Sequence, residues 1–424
     1  MRKERVVHHK SIHLIVLAVG LVTGVLAPTI CSYAQDASHY NTEGAELYKS
    51  GDYAGAVTMF ERAYSLAPDN VTIQSNLANA HIGLATELAD ANDLQGAIEE
   101  LDIALDLKYD DAGLYVYTAS LCLKTGALNS AEGLLLSAID ISPEHEKAHV
   151  FLGEVYYRNG YLRDAVAEWR WVVENYPASD AVRKRLEKAE RELNVEKDFA
   201  TDYRRRHFII SRDRDKFQQE SRLILDILEK AYYGIGRDLR HFPQDRVQVI
   251  LYSVEQFAEA TQADVRVAGL YDGKIRVPLS GETLDPDRIT QVLRHEYTHV
   301  LVRELTGGNA PFWFNEGLAQ FESEELDENK RRVIYDALHN GGLIPLIDLD
   351  ANRVEFDDDP DLMRLAYLEA FATVSYLRRR FSRRHLFDFM DMLAQKHDAE
   401  SALQSVYRRS HQSLHRDVFS EYSR

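Results

Sequence analysis

The chain has 424 residues, 45% hydrophobic and 28% charged, and its 68 acidic against 50 basic side chains give a formal net charge of −18. That balance excludes a disordered chain and a multi-span membrane protein, and so acidic a chain repels phosphate backbones, which argues against nucleic acid as a partner. The length exceeds what one core ordinarily organises and predicts two domains.

The N-terminus has the three parts of an export signal. Arg2, Lys3, Arg5 and Lys10 precede an apolar run from Leu14 to Ile30, and Ser32-Tyr33-Ala34 places small residues at a cleavage site. Residues 1–34 are therefore expected to be a signal peptide cut after Ala34. The run is also near the length of a membrane span, so an uncleaved anchor is the alternative. Cys31 comes after Ile30 rather than a small residue and is not read as a lipid-attachment site. Cleavage leaves Cys122 alone, without an internal disulfide, which favours a bacterial periplasm or exterior.

The first half repeats itself. Pro143 and Pro177 are spaced by a period of about 34 residues. Between them Leu152-Gly153 and Tyr156 fall in a first helix, and Ala165, Trp169 and Val172 in a second. Ala119, Ala131, Leu135 and Ala138 hold the matching places before Pro143, and Gly44, Ala56, Phe60 and Ala63 those before Pro68. Ala97, Leu101 and Ala104 mark a further unit with a longer first helix, its insertion near Ala78–Asp90. Small residues let paired helices approach, large ones fill the gap to the next pair, and proline stops the second helix. Across residues 37–179 this resembles the tetratricopeptide repeat (TPR) family. The resemblance implies an α-solenoid with a groove for peptides or partner proteins; the plainer reading is that the array only folds and spaces the second domain. Asp180–Lys197 is expected to be a solvating cap helix, with a boundary near Phe199–Arg206. The repeats and cap are placed at 37–199 and a second domain at 200–424.

In that second domain His207–Ile210 and Val247–Leu251 predict strands around a helix from Lys216 to Leu239. A helix over Val254–Gln262 comes next, then a hairpin turning at Asp272-Gly273 and closed by Pro278. Asp285-Pro286 opens the next helix, Gly307-Gly308 stops it, and His295-Glu296-Tyr297-Thr298-His299 lies inside. Residues four apart share a helical face, so both imidazoles can meet one metal ion. Pro311-Phe312-Trp313-Phe314 then leads into a returning helix that carries Glu316. Two imidazoles and one carboxylate leave a zinc position open for water, as in a hydrolytic site, and Glu296 is placed to take that water's proton.

The strand–helix–strand lead-in, His295-Glu296-x-x-His299, the Pro-x-Trp approach and Asn315-Glu316-x-x-Ala319 together resemble the gluzincin metallopeptidases, above all the "peptidase MA-like" domain, over about residues 200–380. The resemblance implies an α+β zincin-like domain after the solenoid and one zinc per chain. His295, His299 and Glu316 would be its ligands and Glu296 the catalytic base and acid. It also implies that the Lys274–Pro278 strand is an edge for an extended peptide or protein substrate. Tyr367 matches the oxyanion-stabilising residue of that family, against the alternative of an aromatic packed in the core. Gln320, one turn after Glu316, is a candidate to hold a ligand histidine, although the family often has an acidic residue there.

The other signals read as structural. Asp357-Asp358-Asp359-Pro360-Asp361 is expected to be a solvated turn, the arginines at 378–380, 383 and 384 an exposed helix face, and His411 and His415 surface histidines. The sequence thus points to an exported zinc metallopeptidase with interaction repeats. The alternatives are a repeat scaffold with an inactive peptidase-like domain, and a zinc amidase acting on cell-wall peptides.

Overall fold

The structure, a computed structural model, describes residues 26–422 except 205, 264–267, 282–283, 325–326, 340–343, 351–359 and 396. Nine helices come first: α1 (Leu26–Ser50), α2 (Tyr53–Leu66), α3 (Val71–Asp90), α4 (Leu94–Leu107), α5 (Ala112–Thr125), α6 (Leu128–Ile141), α7 (Glu146–Arg158), α8 (Leu162–Asn175) and α9 (Asp180–Glu196). The chain forms two compact units, one holding α1, α2 and most of α3, the other nearly all of the remaining elements.

The hairpins arise from their small and large residues. In the first unit a Cβ on Gly44 would lie 2.9 Å from the Phe60 ring. In the second unit Gly153 stands in the same relation to Trp169, whose indole donates to the Val150 carbonyl at 3.1 Å. Helices α2, α6 and α8 end with caps at Ala67, Ser142 and Tyr176, each the residue before a proline, because proline disfavours helical geometry in its predecessor. The inserted residues lengthen α3 to 20 residues, against 14 in α5.

A mixed sheet comes next, built from β1 (Phe199–Arg204), β2 (Phe208–Asp213), β3 (Val247–Ser253), β4 (Leu270–Tyr271) and β5 (Ile275–Leu279), with α10 (Gln218–Leu239) and α11 (Val254–Thr261) between them. The order is β1-β2-β3-β5-β4; β2, β3 and β5 run parallel, and β1 and β4 pair antiparallel at the ends. Alternation sends Val249, Leu251, Ile275 and Val277 to one face, where they pack in a core with Ile224, Leu228, Leu293 and Tyr297. Ile250 and Tyr252 go to the other, against Phe257 and Ala260. Eight helices complete the chain: α12 (Pro286–Thr306), α13 (Phe312–Ser323), α14 (Glu328–His339), α15 (Leu346–Asp350), α16 (Pro360–Arg380), α17 (Arg383–Ala394), α18 (Ala399–Tyr407) and α19 (His411–Tyr422).

Several sequence expectations change. The segment at Phe199–Arg206, where the boundary was expected, opens with strand β1, the first strand of the sheet in the second half. Helix α9 is not a solvating cap on one side only: it packs on α8 and also on α11. It buries Glu192 against Lys274 and Arg276, and none of these three side chains is more than 1% exposed. Arg276 is there because the strand period turns it away from the side of Ile275 and Val277. Removing one partner of such a buried pair costs about 3–5 kcal/mol, since the other charge is left without compensation. The arginine run is not wholly exposed either, because Arg378 is half-buried and donates to Asp238 at 2.6 Å, where Arg383 also pairs.

His411 is buried rather than on the surface. Asp350 lies 3.3 Å from its Nε2 and Glu400 2.6 Å from its Nδ1. The acidic residues 357–359 lie outside the described residues, as does most of the apolar N-terminal run. Helix α1 begins at Leu26 and continues past Ala34. Among the described residues no helix is long and apolar enough to cross a membrane.

Candidate metal centre

Helix α12 is defined at both ends by local chemistry. Asp285 accepts from the backbone N–H groups of Asp287 and Arg288, Pro286 occupies the first position, and Gly307 closes the helix at φ 59°. Ile289, Leu293, Tyr297 and Val300 turn inward, and the His295 and His299 rings lie 4.7 Å apart, edge to face, on the adjoining surface. Pro311 starts the return. Trp313 and Phe314 pack on Phe389, and the Trp313 indole donates to Asp350 at 3.1 Å, which seats α13.

Glu316 then faces the histidines. Its Oε2 lies 3.3 Å from His295 Nε2 and 3.6 Å from His299 Nε2, and the three potential ligand atoms are all within 4.8 Å of one another. Close approach of α13 to α16 depends on Gly317, where a Cβ would fall inside 3.0 Å of the Ala370 carbonyl. That crossing also brings in Tyr367, whose ring lies 5.5 Å from Phe312.

The electrostatics separate the two glutamates. Burial pushes Glu296 up to about 7; His299 opposes the shift, while the Glu316 and Asp272 charges add to it. A carboxylate in that range suits proton exchange near neutrality. Burial also acts to raise Glu316, but His299 and His295 outweigh it and hold its carboxyl below the usual range. The Tyr367 hydroxyl is pushed up by burial and then by Glu316 and Glu296, so it stays protonated as a donor.

Residues 276–419 match the Peptidase MA superfamily, and residues 41–83 and 82–146 match the tetratricopeptide repeat. The chain carries tetratricopeptide repeats and a Peptidase MA superfamily domain. The Peptidase MA match begins in β5 and extends into α19, further towards the C-terminus than the sequence resemblance placed it. A stretch of 131 residues is 26% identical to the STIP1 homolog of Dictyostelium discoideum, covering 31% of this chain and 22% of that protein. Another of 146 residues is 26% identical to the TPR repeat-containing thioredoxin TTL4 of Arabidopsis thaliana, covering 34% and 20%. The chain thus spans about a fifth of the length of these curated relatives. Among solved structures, MamA shows 21% identity and a TM-score of 0.30 over 37% of this chain and 81% of its own. YrrB, a TPR protein with an unusual peptide-binding site, shows 14% identity and a TM-score of 0.26 over 39% and 100%.

The residues of the Peptidase MA domain fit a zinc ion. Donor atoms about 2.0–2.1 Å from one tetrahedral ion sit roughly 3.4 Å apart, near the two separations to Glu316. Glu316 Oε2 is buried with the two imidazole nitrogens at 3.3 and 3.6 Å but no hydrogen bond of good geometry among the described residues, an arrangement that a cation shared with both rings would satisfy.

Sequence reasoning misses two supports and misplaces two features. Asn315 Oδ1 lies 3.0 Å from His299 Nδ1, the orienting place expected of Gln320, whereas Gln320 Oε1 has no hydrogen-bond partner among the described residues. Gly269 abuts Glu296, since a Cβ there would lie 2.9 Å from its Cγ and Oε1. Asn315 is legible as part of the Asn-Glu motif; Gly269 carries no local signal. The Lys274–Pro278 strand is not a free edge throughout, because β4 pairs with it at Ile275 and Arg276. Pro278 sits within β5 rather than closing it.

Proposed function

We propose that the chain is an exported, zinc-dependent metallopeptidase that hydrolyses peptide bonds, with residues 37–199 binding protein or peptide partners and residues 200–424 holding the site. The observation that carries this reading is the convergence of His295, His299 and Glu316 beside a buried carboxylate on the same helix. One zinc per chain, when bound, would supply Lewis acidity at the scissile carbonyl and to water. His295, His299 and Glu316 hold it, and Asn315 keeps the His299 ring in one orientation. Glu296 accepts the proton of the attacking water and returns it to the leaving amine. The Tyr367 hydroxyl donates to the oxygen on which charge develops. The part of β5 beyond Arg276, at Val277–Leu279, has no further strand partner on the β4 side among the described residues and can align an extended substrate.

The test is Glu296→Gln in the full chain, with an unstructured protein such as casein as substrate. Zinc stays at one per chain and hydrolysis falls by at least ~10³-fold, whereas His299→Ala loses the metal. A Glu296→Gln variant that cleaves like its parent removes the proposed base. A parent that binds zinc but cleaves neither casein nor a cell-wall peptide favours the scaffold reading, and cleavage of the cell-wall peptide alone makes the protein an amidase.

A further inference from the structure

The β4–β5 hairpin is held from two sides. On one, Gly269 stands directly before β4 and runs so close to α12 that a Cβ on it would lie 2.9 Å from Glu296 Cγ and Oε1. On the other, α9 presents three charged residues to it. Lys188 Nζ donates to Asp272 Oδ2 at 2.6 Å. Glu192 accepts from the Tyr157 hydroxyl at 2.6 Å and pairs with Arg276 at 2.8 Å and Lys274 at 3.5 Å. Glu196 accepts from the Tyr252 hydroxyl, which in turn receives Arg276 at 2.5 Å. Arg276 Nε closes the network on Asp272 at 3.0 Å, so the turn and the β5 side of the hairpin are tied to one helix.

Pairing within the hairpin would not fix it unaided. Strand β4 has two residues, joined to β5 only at Leu270↔Arg276 and Tyr271↔Ile275. An apolar patch on α9 would hold the hairpin close, but the guanidinium fork of Arg276 fixes its orientation as well.

We infer that α9 is a positioning element for the general base: Lys188, Glu192 and Glu196 fix the β4–β5 hairpin, and the hairpin fixes the Glu296 carboxyl through Gly269. This rests on the reading of Glu296 as the base. It gives the last helix of the repeat side a part in the rate of hydrolysis.

The experiment uses the full chain loaded with zinc. Lys188→Met removes the outermost link, whose side chain is 35% exposed, so the fold survives the change. Arg170→Met breaks the exposed Arg170–Glu190 pair on α8 and α9 and serves as the control. Lys188→Met lowers kcat about tenfold with KM, zinc content and thermal midpoint unchanged. It also speeds hydrogen exchange over residues 269–276, and Lys188→Arg restores both. Arg170→Met changes neither. Parental kcat in Lys188→Met overturns the inference, as does an equal loss in the control or a loss that only tracks the thermal midpoint. A parent without hydrolysis overturns it together with the reading of Glu296, whereas an active parent with an unaffected Lys188→Met overturns it alone.

Discussion

Gly269 has no room for a methyl group: a Cβ would meet Val292 Cγ1 as well as Glu296 Cγ and Oε1, each at 2.9 Å. Val292 and Glu296 stand one turn apart on α12, and the longer glutamate side chain has more torsions free to turn than the β-branched valine, so the carboxylate gives way first. Gly269→Ala is therefore expected to lower kcat by roughly 10–100-fold at unchanged zinc stoichiometry, read by steady-state kinetics beside metal analysis. Equal kcat in variant and parent would show that Glu296 tolerates displacement. Residues such as His295, Glu296, His299 and Glu316 are legible because their types and spacing are the chemistry. Gly269 is not, because its constraint is a through-space contact with a different element.

At the scale of elements, α12 is readable from end to end because its caps are local: Asp285, Pro286 and Gly307 act on their own neighbours. The crossing of α13 and α16 is not. Gly317 reads as an ordinary helical glycine until the Ala370 carbonyl is seen against it. Gly317→Ala is expected to cost about 1–3 kcal/mol, seen in the denaturant midpoint, and to weaken zinc binding by displacing Glu316. Unchanged values in both measurements would mean that α16 moves freely away. The hairpin shows the same division. Asp272-Gly273 announces the turn, but which strand covers β5, and how far, is a matter of non-local pairing, so the expected open edge is partly occupied by β4.

Within the C-terminal half, four helices meet around one buried histidine. Asp350 of α15 accepts from the Trp313 indole of α13 and lies against His411 of α19, while Glu400 of α18 takes the His411 backbone N–H at 2.7 Å and flanks its ring. Burial opposes the charged imidazole, yet Asp350 and Glu400 outweigh it and hold His411 above its ordinary value. A folded-state value raised in this way adds stability that is complete below the ordinary imidazole range and is lost as pH rises through the raised value. His411→Asn is expected to be less stable than the parent at acidic pH and to close that gap above neutrality, in denaturant midpoints measured across pH. A gap that stays constant with pH would show that the imidazole is not charged in the fold.

What the sequence determined by itself was whatever is written in neighbouring residues: the helical hairpins and their proline stops, the capped helix of the histidine pair, and the residue types of a candidate metal centre. What only the tertiary structure decided was which side chains meet across elements. These are Asn315 on His299, Gly269 on Glu296, Gly317 on Ala370, α9 on the β4–β5 hairpin, and the carboxylates around His411. Periodicity and capping act within a few residues of the chain. Contacts between elements depend on loop closure and packing, which no local pattern encodes.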